Sequence, residues 1–134
     1  MQGVDVSRLR GEIRGCMSAL RTEPDGRVSA TFVFPPEFTG FSGHFDGNPV
    51  LPGVCVLQSA LVLAEDWLSA PVVLRELVSA KFRIPIGPGQ ELVVTCRKGD
   101  VLQDGRELLF VRAQADGRAV ADLQLEISLA GGGA

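Results

Sequence analysis

The stretch Pro52-Gly53-Val54-Cys55-Val56-Leu57-Gln58-Ser59-Ala60-Leu61-Val62-Leu63-Ala64-Glu65-Asp66-Trp67-Leu68-Ser69-Ala70-Pro71 decides the fold. Leu57, Ala60, Leu61, Ala64 and Leu68 recur at helical spacing, while Val54, Val56, Val62 and Leu63 fill the other faces. A helix that is apolar nearly all round is a buried helix. Pro52-Gly53 opens it and Pro71 closes it, because proline has no N–H with which to continue a helical ladder. At about 1.5 Å per residue it is roughly 25 Å long. A lone helix of this kind needs cover on most sides, and an antiparallel sheet curling around it provides that cover.

The flanking sequence supplies the strands. Residues 1–11 read as a short helical or irregular lead-in, followed by a first strand over Ile13–Arg21. Thr22-Glu23-Pro24-Asp25-Gly26 is a turn, in which proline fixes φ and glycine accepts positive φ. Val28–Phe34 returns antiparallel and stops at Pro35-Pro36. Glu37–Pro52 is a long loop, and a loop that long in a compact domain is often functional. After the helix come Val72–Phe82, with room for a bend, then Glu91–Arg97, Glu107–Ala115 and Arg118–Leu129. Asp104-Gly105 and Asp116-Gly117 mark the hairpins between the last three. The glycine-rich residues 130–134 are expected to fray. The expectation is one α+β domain over residues 1–134, an antiparallel sheet wrapped around one long central helix.

Composition narrows the function. A net charge of -3 without a Lys/Arg stripe excludes an electrostatic nucleic-acid binder. Trp67 is the only tryptophan and tyrosine is absent, so bases would have few platforms to stack on. Cys16, Cys55 and Cys96 are odd in number and widely spaced, which argues against a disulfide framework. One histidine with scattered thiols does not make a zinc site. The first fifteen residues lack the apolar run of a secretory signal. Val54–Ala70 is interrupted by Gln58, Glu65 and Asp66, too short and polar for a membrane span. A cytoplasmic protein is the default expectation.

Just before the helix lies Gly43-His44-Phe45-Asp46-Gly47-Asn48-Pro49-Val50-Leu51-Pro52-Gly53-Val54, with the chain's only histidine. Histidine alone has an unperturbed pKa near neutrality. A helix start offers unpaired backbone N–H groups to a developing negative charge. The segment therefore joins a candidate base to a candidate oxyanion site. Gly47 and Gly53 would let a ligand approach the backbone closely.

His44-Phe45-x-Gly47-x-Pro49-Val50-x-Pro52-Gly53-Val54 resembles the motif of the β-hydroxyacyl-acyl-carrier-protein dehydratases of the hot-dog fold. Ser79-Ala80-Lys81-Phe82-Arg83-Ile84-Pro85-Ile86-x-Pro88-Gly89 resembles their next segment, and Asp116-Gly117 with Ala121 their last hairpin. The resemblance spans roughly residues 12–129 and implies a dimer paired edge to edge, with sites at the interface. It implies that His44 takes the α-proton of a 3-hydroxyacyl thioester and that the Gly53 N–H binds the thioester carbonyl. Phe45, Gly47, Pro52 and Val54 become substrate-binding positions. The thioester, on acyl carrier protein or coenzyme A, activates its own α-carbon, so the resemblance implies no metal or redox cofactor.

Two positions depart from the pattern: Asp46 stands where the family usually has proline, and position 58 bears more directly on the chemistry. The family carries Glu or Asp on the helix to protonate the departing hydroxyl, and this chain has Gln58. An amide donates hydrogen bonds but cannot give up a proton near neutrality. Three outcomes stay open: His44 acts alone while Gln58 orients the hydroxyl, Asp46 serves as the acid, or dehydration is lost while thioester binding remains. A hot-dog thioesterase and a non-catalytic acyl-binding or scaffold subunit are the rival readings. Glu65, seven residues after Gln58, shares its helix face. It either flanks a water or forms, with Asp66, the solvent end of the helix. Cys55 reads as an inert packed thiol. Lys81, Arg83, Arg97 and Lys98 are either solvated strand ends or contacts for an acidic carrier or a phosphate.

Overall fold

A computed structural model describes residues 6–41 and 49–129. Helix α1 (Val6–Gly15) leads into β1 (Met17–Thr22) and β2 (Val28–Val33). A 3-10 turn (Thr39–Phe41) precedes α2 (Gly53–Leu68), and β3 (Val72–Phe82), β4 (Glu91–Val101), β5 (Glu107–Ala115) and β6 (Arg118–Leu129) follow. The strands form one six-stranded sheet in the order β1-β2-β4-β5-β6-β3, with every neighbouring pair antiparallel. This is the hot-dog arrangement that the α2 sequence requires.

Alternation assigns the two faces. Ala30, Val94, Ala113, Ala121 and Phe82 stand side by side across β2, β4, β5, β6 and β3. The adjacent inner row is Val28, Cys96, Val111, Leu123 and Ala80. Apart from the edge strand, these rows are buried, together with Ala60, Leu61, Val62, Leu63 and Ala64 of α2. Between the two inner rows runs a polar outer one: Ser29, Thr95, Arg112, Asp122 and Lys81. Successive side chains of a strand point to opposite faces, so one apolar face meets the helix and the other meets water.

The first strand starts later than its sequence suggests. Ile13 belongs to α1 and is fully buried, and Leu9 one turn before it is nearly so. The Leu9–Ile13 spacing lets α1 dock an apolar stripe, and β1 begins only at Met17. β4 runs four residues beyond Arg97, through a register shift between Lys98 and Val101. β3 carries the bend as two register shifts, between Leu74 and Glu76 and between Leu77 and Ser79.

β3 is an edge strand and is exposed over most of its length. Val73, Leu77, Val78 and Phe82 are large apolar side chains left open along it. Natural edge strands usually carry charge or proline to prevent pairing. This one carries Arg75, Glu76 and Lys81 and still leaves those four apolar side chains open among them.

Candidate functional site

The start of α2 is built for a close approach. Pro52 precedes the helix in an extended conformation (φ −64°, ψ 148°), and no side chain caps it. The Pro52 carbonyl accepts from Cys55 and Val56 N–H at 2.9 and 3.4 Å. Among the described residues, no backbone carbonyl takes the Gly53 N–H, as expected in a first helical turn. The segment ahead is tied to the β3–β4 turn by Leu51 N–H donating to Ile86 O at 2.7 Å.

Gly53 is required here by packing. A Cβ built on it would lie 2.8 Å from Cζ of Phe82 and 3.1 Å from each ring Cε. The Phe82 ring therefore sits directly on the glycine, although 51% of the residue remains exposed. Beside this contact opens a cavity of about 510 Å³ with Leu51, Gly53, Val56, Phe82, Ile84 and Val120 in its lining. Arg83 is the only charged side chain among its described lining residues. The volume and the apolar walls suit an acyl chain, and a backbone N–H at the wall suits a carbonyl oxygen.

The sequence candidates part company in space. Gly53 lines the cavity, and Pro52 beside it in the chain does not. Val54 does not line it and is 53% exposed. His44, Phe45, Asp46 and Gly47 lie outside the described residues. Gln58 is 8% exposed and lies on the α2 face that meets α1. There Arg10 Nε donates to Gln58 Oε1 at 2.6 Å.

Glu65 is a further correction. It is not the solvent end of α2: its side chain is only 15% exposed. It accepts from Arg14 Nη2 at 2.7 Å, Arg10 Nη1 at 3.4 Å and the Val72 N–H at 2.9 Å. Asp66 makes an outer pair with Arg14 at 3.3 Å. Arg10 escaped the sequence reading. Its signal was the Arg10–Arg14 spacing of four on a segment that also places Leu9 and Ile13 one turn apart.

Burial, with a smaller contribution from the Glu12 charge, pushes the Cys55 thiol up to about 11. Such a thiol carries almost no thiolate near neutrality, as its apolar neighbours suggest. Of the four basic residues, Lys81 stands opposite Asp122, Arg83 pairs with it, and Arg97 shares a groove with it. Lys98 lies over the Trp67 ring at 5.1 Å, whereas Arg97 stacks on Phe110 at 4.4 Å. A polar groove of about 490 Å³ on the outer sheet face includes Arg27, Arg97, Phe110, Arg112 and Asp122. Of Pro52, Gly53, Val54 and Gln58, none lines it.

The family model of the ApeI-like proteins, described as ApeI dehydratase, matches residues 20–124. The chain is 36% identical over 93 residues to the 3-hydroxyacyl-[acyl-carrier-protein] dehydratase FabZ of Granulibacter bethesdensis, covering 61% of this chain and 53% of that protein. It is 37% identical over 89 residues to FabZ of Enterococcus faecalis, covering 60% and 56%. The chain thus spans about half the length of these curated relatives. Among solved structures, the dehydratase heterocomplex ApeI:P of Xenorhabdus doucetiae aligns with a TM-score of 0.69 at 20% identity, over 84% of this chain and 96% of that one. The E. coli PaaI protein of the phenylacetic acid degradation operon aligns at 0.61 and 13% identity, over 92% and 94%. At those identities the structural likeness speaks for the fold.

Proposed function

The chain belongs to the ApeI-like dehydratase family, and we propose that it dehydrates 3-hydroxyacyl thioesters reversibly to 2-enoyl thioesters. The observation that carries this reading is the apolar cavity opening at Gly53, the first residue of α2. The carrier would be acyl carrier protein, as in the names of the FabZ relatives, or coenzyme A. The setting would be fatty-acid or polyketide-type lipid metabolism in the cytoplasm. No helix among the described residues is long and apolar enough to cross a membrane.

In this mechanism the acyl chain lies in the cavity and the thioester carbonyl accepts from the Gly53 N–H. The neutral His44 imidazole takes the α-proton. The electrons of that C–H bond become the new C=C bond as the β-carbon–oxygen bond breaks. The departing oxygen keeps its bonding pair, takes the proton back from His44 and leaves as water. Gln58 contributes a hydrogen bond and no proton. A preorganised donor at a developing oxyanion is worth about 2.7–4 kcal/mol, so Gly53 and His44 carry the chemistry. Asp46 is the alternative acid, and Phe45 and Gly47 are the remaining proposed substrate contacts, whereas Pro52 and Val54 do not line the cavity.

Pairing along β3 would place two such sites at one interface. The open edge with Leu77, Val78 and Phe82 supports it. A homodimer is the simplest form. The Xenorhabdus relative is described as a heterocomplex, which makes a second hot-dog chain the alternative partner.

Hydration of a short enoyl thioester by the wild type and by His44→Ala tests the mechanism. The variant should be slower by about 10²–10⁴-fold; equal rates would remove His44 from it. The engagement of Gln58 by Arg10 favours one second reading, an acyl-thioester-binding subunit without turnover. That reading predicts binding of the enoyl thioester with no hydration. Thioesterase activity would show itself as release of free thiol.

A further inference from the structure

A guanidinium donates hydrogen bonds and accepts none. The amide atom that Arg10 Nε meets at 2.6 Å is therefore the oxygen of Gln58. The planar amide then turns its NH2 group to the other side. We propose that Arg10 is a positioning residue for Gln58, fixing the amide as a one-way donor and barring a proton-donating carboxyl from position 58. The inference deepens the dehydratase reading and rests on it for its catalytic consequence.

The surroundings of Gln58 point the same way. α1 faces it with Arg10 and Arg14, and α2 adds Glu65 one face-repeat further on. The strands beneath α2 add buried apolar side chains and the Cys96 thiol, which burial pushes up to about 12 and keeps neutral. Glu65 is already shared by Arg14, Arg10 and the Val72 N–H. A carboxylate placed at 58 would meet the Arg10 guanidinium at ion-pair distance. An opposite charge that close lowers a carboxyl pKa by about 1–3 units. Such a group is ionised at neutral pH and has no proton to give to a departing hydroxyl. Glutamine keeps the geometry of the site and leaves the proton with His44. Gln58→Glu alone is therefore expected to bring no general acid into the site.

Four variants test the proposal: Arg10→Ala, Arg10→Lys, Gln58→Glu, and Gln58→Glu combined with Arg10→Met. In Arg10→Ala the NMR signals of the Gln58 side-chain NH2 should shift. The kcat for enoyl-thioester hydration should fall about tenfold, the worth of one charge-assisted hydrogen bond, with KM nearly unchanged. Arg10→Lys, which keeps the charge and a donor, should recover part of both effects even if the alanine variant folds poorly. In Gln58→Glu the new carboxyl should titrate below the ordinary glutamate range. Adding Arg10→Met should raise that value by at least about one unit and bring an acid limb into the rate profile. Unshifted Gln58 signals with unchanged kcat in Arg10→Ala, or identical Glu titration with and without Arg10, would overturn the proposal. A wild type without hydration activity would overturn the dehydratase reading instead, and the NMR and titration measurements would still decide the Arg10–Gln58 relation.

Discussion

A methyl group at position 53 has no free volume while the Phe82 ring holds its place, because its nearest ring carbon would be 2.8 Å away. Phe82 is half exposed and can swing aside, so the strain is partly relievable. Gly53→Ala is expected to destabilise by about 1–3 kcal/mol, the usual cost of overpacking. The same change in a Phe82→Ala background should cost much less, as urea unfolding of the double-mutant cycle would show. Equal costs in the two backgrounds would mean that the ring does not constrain Gly53. Half of this contact was legible in the sequence: Pro52-Gly53 marks a helix start open to close approach. Phe82 was legible only as a strand end, because it reaches Gly53 through the pairing of β3 with β6, which no local pattern encodes. Gln58 was legible as a departure from the family's carboxylate, but not as a residue held by Arg10, 48 positions earlier.

At the scale of elements, α1 stays in place through α2. A ten-residue helix is too short to persist alone in water, so its docking contacts decide whether it forms. Glu65→Ala would orphan the Val72 N–H and remove one partner each from Arg10 and Arg14, leaving them Gln58 and Asp66. A loss of about 1–3 kcal/mol is expected in thermal or urea unfolding. Asp66→Ala, which breaks only an exposed pair, should cost under about 1 kcal/mol. This dependence explains why β3, β5, β6 and the opening of α2 were readable from periodicity and turn residues, while α1 was read as an uncertain lead-in running into a strand. The outer face of the sheet makes a pH prediction. The hydrogen bond from Arg112, assisted by Arg83, holds the Asp122 carboxyl below its ordinary value of 3.8 despite partial burial. A depressed carboxyl stabilises the fold above that value, and its contribution is lost as pH falls through the folded-state value. Asp122→Asn should therefore flatten the acid limb of the stability profile below about pH 4 relative to wild type. An unchanged limb in acid denaturation would show that the pair adds nothing.

Over the whole molecule, the sheet packs its apolar face on α2 and stops at β3, whose edge leaves Val73, Leu77, Val78 and Phe82 exposed between charged residues. If that edge pairs with another hot-dog chain as proposed, a lysine at Leu77 or Val78 should abolish the pairing. Sedimentation should then show a dimer for wild type and a monomer for the variant, with an unaltered circular dichroism spectrum. A wild-type monomer at micromolar concentration would shift attention to a heterologous partner. The helix-in-sheet plan was visible in the buried helix and its alternating flanks. The openness of the edge was not, because exposure depends on which strand ends the sheet. Phe82 gives that openness a consequence. One aromatic ring stands both at the end of the edge strand and on the helix residue proposed to hold the carbonyl. Catalytic competence would then obey mass action: specific activity should fall on dilution, return on concentration, and respond to any molecule that competes for the strand.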